Sequence, residues 1–180
     1  MDFSNCEVLA ENKWVSLYTK NGFTFSHETF ANGDKVGILP YRYVGNDIEV
    51  LVIYELNQAW NLKLNQDLHR STTFITGSAE SGKIVKHLID ELYEEGGYKI
   101  DENELSTIDS KFVCKSNTSL YHLAIVDLTH KQQDIIPKGD NPGDFCEWLP
   151  INLAYKRSND FLLSYLISYI CLKELSKDLL

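Results

Sequence analysis

Residues 83–95 constrain this chain most, because they carry the clearest helical signal in a sequence whose other segments alternate like strands. Ile84, Val85, Leu88, Ile89 and Leu92 recur at helical spacing and predict one buried face. Gly96-Gly97 follows immediately and predicts the stop, since glycine readily takes the left-handed conformation that closes a helix. Upstream, residues 14–19 and 23–27 flank Asn21-Gly22, and residues 35–42 and 48–54 flank Gly45-Asn46-Asp47, so two hairpins are expected. Residues 50–54 read as a strand buried on both faces. A surface loop over 57–70 is expected to lead to a short strand at 71–75, with Ser81 capping the helix. Further strands are expected at 111–115, 120–128 and 145–149, and Asn152 or Ser158 is the expected start of the closing helix or helices. Helices set among strands without regular β-α alternation predict an α+β fold rather than a doubly wound parallel sheet.

A chain of 180 residues fits a single domain, 1–180, with residues 1–34 as its N-terminal hairpin region. The net charge of −9 lacks the basic footprint of a protein that binds duplex nucleic acid. A polyanionic ligand therefore needs local Arg or Lys, or a metal. The most apolar stretch, 161–172, is interrupted by Ser164 and Ser168 and falls short of the ~20 residues that span a bilayer. It predicts a buried helix and no membrane partner. No apolar run follows Met1-Asp2-Phe3, so no export signal is expected. Cys6, Cys114, Cys146 and Cys171 form no C-x-x-C pair, which argues against a zinc knuckle or disulfide framework and for the reduced thiols of a cytoplasmic protein.

Within the helix, Glu91, Glu94 and Glu95 stand at i, i+3 and i+4, placing three carboxylates on one face. Like charges at that spacing repel by about 0.2 to 0.5 kcal/mol per pair when solvated. Either water solvates an ordinary acidic face, or a cation compensates it. Hard oxygen ligands suit Mg²⁺ or Mn²⁺, which bridge carboxylates to diphosphate oxygens.

Residues 77–98 resemble the Nudix box, G-x5-E-x7-R-E-U-x-E-E-x-G-U, with U a bulky hydrophobic residue. Gly77, Glu91, Leu92, Glu94, Glu95 and Gly97 match once the spacer is shortened by one residue, and Tyr98 is a permissive match. Glu80 and Gly82 resemble the usual residues of the preceding loop, whereas Lys83 and Asp90 depart from the box. The order of segments around it, from 36–42 and 50–55 to 121–127 and 144–150, is similar to the ADP-ribose pyrophosphatase branch.

The resemblance implies a mixed β-sheet sandwiched between helices (α/β/α) and hydrolysis of a nucleoside diphosphate linked to another moiety, such as ADP-ribose, a dinucleotide or a sugar nucleotide. It implies metal binding by Glu91, Glu94, Glu95 and the Thr76 carbonyl, with Glu94 and Glu95 in the catalytic set. Arg42, Arg70 or Lys83 are the implied charge-stabilising donors, Gly77 and Glu55 line the substrate, and Asp144 or Glu147 is the implied base. Tyr41, Tyr43 and Trp60 are candidates for stacking on a base, and the N-terminal hairpin implies a homodimer. Asp90 takes the place of an arginine that orients a helix glutamate, so a second reading is a catalytically weakened Nudix-like module that binds a nucleotide or a protein. Lys86 or His87 is the candidate to restore that pairing, with Asp90 or Glu91.

Overall fold

The computed structural model describes residues 2–57, 61–63, 65, 69–80, 82–137 and 143–177. Trp60, Ser81 and residues 139–142 lie outside these, as does part of the expected 57–70 loop. In chain order the strands are β1 (Glu7–Glu11), β2 (Val15–Lys20), β3 (Phe23–Glu28), β4 (Asp34–Val44), β5 (Asp47–Leu56), β6 (Arg70–Thr73), β7 (Ile75–Ser78), β8 (Leu105–Phe112), β9 (Leu120–Asp127) and β10 (Phe145–Pro150). Helix α1 (Ile84–Glu91) follows β7, and α2 (Ile151–Arg157) and α3 (Phe161–Lys177) close the chain.

Both expected hairpins form. Asn21 and Gly22 have φ of 53° and 78°, the mirror-image turn whose twist matches that of the strands it joins. Ahead of that hairpin lies a strand the sequence did not announce. β1 pairs antiparallel with β2 from Glu7↔Thr19 to Glu11↔Ser16, with all five of its residues exposed, so the N-terminal region is a three-stranded sheet.

The main sheet runs β10-β5-β4-β9-β8, with β4 and β9 parallel and its other pairs antiparallel. β4 and β5 pair only near their hairpin, from Tyr41↔Val50 to Val44↔Asp47. Beyond Tyr41 they part. The first half of β4 pairs with β7, and the second half of β5 pairs with β6. The segment β6–Phe74–β7 therefore fills the split, and Phe74, 1% exposed, pins it to the core. Full burial of such a side chain stabilises by about 1.5 to 3 kcal/mol.

Period-two alternation divides the sheet cleanly between two cores. Val36 and Ile38 of β4, Leu51 and Ile53 of β5, and Ala124 and Val126 of β9 meet Leu88 and Leu92 on the α1 side. Leu39, Tyr41, Val50, Val52, Leu123 and Ile125 meet the α2 and α3 side, where Leu163, Leu166 and Ile170 close the layer. The architecture is the expected α+β sandwich of helices around a mixed sheet.

Three boundaries and the burial of one helix differ from expectation. β8 starts at Leu105 rather than 111, because this edge strand is largely exposed and its Ser, Thr and Asp residues hide it from a hydrophobic pattern. α2 starts at Ile151, directly after Pro150. α3 is capped by Asp160, whose Oδ1 accepts the N–H groups of Leu162 (2.7 Å) and Leu163 (3.2 Å), rather than by Ser158. α3 is also half-buried rather than buried, since Phe161, Tyr169 and Leu172 are exposed. No helix among the described residues is long and apolar enough to cross a membrane.

Candidate functional site

α1 does not run unchanged to its glycine stop. Over Leu92–Gly96 it widens into a π turn, in which the Gly97 N–H reaches the Leu92 carbonyl. Such widenings recur at functional sites. Gly97 ends the turn at φ 80°, as the sequence predicted, and a Cβ there would lie 2.2 Å from the Ile135 carbonyl oxygen. The following loop is fastened here, with Asp134 N–H donating to the Gly97 carbonyl at 2.8 Å and Gln133 Nε2 to the Gly96 carbonyl at 2.9 Å.

The split in the sheet brings β7 beneath the helix. Glu91 lies so close to Gly77 that a Cβ on that glycine would fall 1.8 Å from Glu91 Oε1 and 2.1 Å from its Cδ. A side chain at position 77 would therefore displace the Glu91 carboxylate from the strand backbone. Glu91, Glu94 and His87 form one wall of an open groove of about 550 Å³, with Thr76, Gly77 and Ser78 beside them. Lys35, Phe30 and Tyr121 line the rest.

Glu95 opens elsewhere. With Glu55 and Asp144 it lines a cleft of about 10 Å³, hardly room for one water. Asp144 is engaged there, its side chain only 2% exposed and its Oδ1 accepting the Leu56 N–H at 3.2 Å, 3.5 Å from Arg70 Nε. A Cβ on Gly143 would lie 2.6 Å from Arg70 Nη2, so the guanidinium rests on that backbone. Asp144 and Arg70 therefore fasten the ends of β5, β6 and β10 together.

The other sequence candidates separate by strand parity and by partner. Cys146 and Trp148 pack on the α1 side of β10, so Glu147 between them projects to the opposite face, away from the helix glutamates. Arg42 donates to Glu49 Oε2 through Nε (2.8 Å) and Nη2 (2.6 Å) and stacks over Trp148 at 4.3 Å. Lys83 pairs with Glu80 at 2.5 Å, a bond that holds Glu80 below the usual carboxylate range, and lines a different depression from the glutamates. Tyr41 is buried in the α3-side core, which removes it as a stacking surface, and the half-buried Tyr43 packs edge-on against it at 5.9 Å.

Of the two pairings considered for the odd Asp90, the one with Lys86 forms. His87 Nε2 is instead buried in the groove wall without a hydrogen-bond partner among the described residues. Lys35 and Tyr121 went unrecognised in the sequence. Lys35 Nζ lies 2.5 Å from Glu28 Oε2 and donates to Ser78 Oγ at 3.2 Å. Burial, with the charges of Glu28, Asp160 and Glu55, pushes the Tyr121 phenol up to about 12, so it stays a neutral donor. Neither residue belongs to a local motif; the β4/β7 and β4/β9 registers bring them to the groove.

No three His, Cys, Asp or Glu side chains among the described residues converge to hold a metal ion. The donors of the groove nevertheless fit Mg²⁺ or Mn²⁺ in kind. Mg²⁺ keeps several waters and is bound by one or two carboxylates together with substrate phosphates rather than by an all-protein cage. Glu91 and Glu94 beside the backbone of Thr76 and Gly77 match that pattern.

No protein-family model matches the sequence, and none of the curated proteins matches it. In three dimensions it is similar to a solved structure described as the crystal structure of an ADP compounds hydrolase. The two agree with a TM-score of 0.64 at 18% identity, over 95% of this chain and 93% of the other. The fold is a Nudix fold. At that identity the likeness is one of fold, and the chemistry rests on the groove.

Proposed function

We propose that this protein is a divalent-metal-dependent hydrolase that cleaves the diphosphate of a nucleoside diphosphate linked to another moiety. The observation that carries the reading is the seating of Glu91 against Gly77, which sets one helix carboxylate against a strand backbone in an open groove that Glu94 also lines. The similar fold of a protein described as hydrolysing ADP compounds supports the substrate class.

In this reading Glu91 and Glu94 hold Mg²⁺ or Mn²⁺ with the Thr76 carbonyl, and Glu95 and Glu55 flank the adjoining cleft. When bound, the metal would supply positive charge for the diphosphate and acidify a water for hydrolysis. Gly77 keeps Glu91 in register with β7, and Tyr121 contributes a neutral hydroxyl. Asp144 and Glu147 are set aside as bases, the first because it clasps Arg70 and the second because of its face.

The same two placements favour the second reading, a module that binds a nucleotide without turning it over efficiently. Release of AMP from ADP-ribose, NAD and diadenosine polyphosphates with Mg²⁺ or Mn²⁺ separates the two. Metal-dependent AMP release that Glu94→Gln abolishes supports the hydrolase; metal and nucleotide binding without release supports the module.

The N-terminal sheet also exposes Val8, Leu9, Trp14, Leu17 and Phe23. That much apolar surface on a three-stranded sheet supports a homodimer formed through this region. Light scattering that reports a monomer at micromolar concentration removes this part of the reading.

A further inference from the structure

We propose that Lys35 is the phosphate-binding cation of the groove, exchanging its Glu28 partner for a diphosphate oxygen when a nucleotide binds. This rests on the reading of the groove as a nucleotide site and adds a residue that no part of the box resemblance assigns.

The first ground is elimination among named cations. Arg42 is held by Glu49 and Trp148, Arg70 clasps Asp144, and Lys83 and Lys86 pair with Glu80 and Asp90 along the outer side of the helix. Among the described residues that line the groove, Lys35 is the one lysine or arginine. A diphosphate brought against Glu91 and Glu94 needs positive charge from the protein as well as from a metal.

The second ground is placement. Lys35 is the register partner of Ser78, one position from the Gly77 that seats Glu91; alternation starts its stem on the opposite face of the sheet, and the groove, which takes in Thr76, Gly77 and Ser78, joins it to the carboxylate wall. Its Nζ already crosses the β4–β7 seam to Ser78 Oγ at 3.2 Å. A lysine offers a point charge on a flexible four-carbon stem with rotatable donors, so it can change partner without moving the strand.

The third ground is the fate of Glu28. Its Oε1 accepts a hydrogen bond from Ser119 Oγ at 2.9 Å, so departure of Lys35 from Oε2 leaves the carboxylate still bonded. The exchange replaces one charge-assisted bond by another and strands no buried charge, which keeps its net cost small. Glu28 thus acts as a stand-in anion for Lys35 until a phosphate arrives.

The test uses the full chain with α,β-methylene-ADP, a diphosphate that cannot be cleaved between its phosphorus atoms, in the presence of Mn²⁺. Affinity is read by calorimetry, and Mn²⁺ alone by electron paramagnetic resonance. Lys35→Met is expected to weaken the nucleotide by about 10- to 100-fold, the loss of a hydrogen bond between charged groups, with Mn²⁺ affinity unchanged. Lys35→Arg retains most of the affinity. Glu28→Gln, which removes the competing anion, tightens the nucleotide, whereas a purely structural pair predicts that it weakens it. Should Lys35→Met fold poorly, the double variant Lys35→Met with Glu28→Gln removes both charges and is still expected to bind weakly. Wild-type affinity in Lys35→Met, or weakening by Glu28→Gln, overturns the inference while leaving the groove a nucleotide site. A wild-type protein that binds neither Mn²⁺ nor nucleotide overturns the nucleotide reading and this inference with it.

Discussion

Three glutamates of one helical turn open on two different spaces, and the spaces are unlike. Glu91 and Glu94 face a groove of about 550 Å³, whereas Glu95 faces a cleft of about 10 Å³ whose other acid, Asp144, is held by Arg70 and a backbone N–H. Both hold clustered carboxylates, yet only the first has room for a ligand. Charge clustering alone therefore does not mark a site. What distinguishes the groove is a glycine that admits a carboxylate to the strand backbone and a lysine on the facing wall.

The contrast can be broken most forcefully at the cleft. Asp144→Ala removes one partner of a largely buried ion pair and is expected to cost about 3 kcal/mol of stability in a urea unfolding curve. If Asp144 is instead a catalytic base, the variant keeps its stability and loses turnover. At the groove the balance reverses: Gly77→Ala displaces Glu91 and is expected to lower turnover roughly 10²-fold, with little change in melting temperature. Glu94→Gln weakens Mn²⁺ by roughly tenfold or more, since it removes a full charge close to the ion.

Smaller effects lie away from both spaces. His27 is buried, with Nδ1 2.7 Å from Thr118 Oγ1, and burial holds its imidazole below the usual value. The folded chain therefore favours neutral His27, and the stability this contributes is complete above about pH 6.5 and lost as pH falls through the lower folded value. Between pH 7 and 5 the wild type should lose more stability than His27→Gln, and equal losses would remove His27 from the account. On the outer side of α1, Lys83→Ala and Asp90→Asn should change neither Mn²⁺ affinity nor melting temperature measurably, since their pairs are exposed.

The parts legible in the sequence were those set by local rules. Val50 to Ile53 alternate between two cores, Asn21-Gly22 makes its turn, and Gly97 takes its left-handed conformation, because each depends on a residue and its near neighbours. The pairing of Arg42 with Glu49 was also within reach, since the two sit symmetrically about the Gly45-Asn46 turn. The face of Glu147 was not, because alternation says that it opposes Cys146 and Trp148 but not which side carries the helix. Lys35 was hidden for a different reason. At the start of a strand it resembles any solvated lysine, and only the parting of β4 from β5, which admits β7, makes it a wall of the groove. The widening over Leu92–Gly96 likewise changes which space each glutamate meets without changing their spacing.

The central claim is that Glu91, seated against Gly77, and Glu94 beside it in the groove form a divalent-cation site that a nucleotide diphosphate completes. Titration of Mn²⁺ by electron paramagnetic resonance, with and without α,β-methylene-ADP, tests it most directly in the wild type and in Glu91→Gln with Glu94→Gln. Saturable Mn²⁺ binding in the wild type, strengthened by the nucleotide and lost in the double variant, is the predicted result. Mn²⁺ binding that survives the double variant, or none in the wild type with nucleotide present, contradicts it.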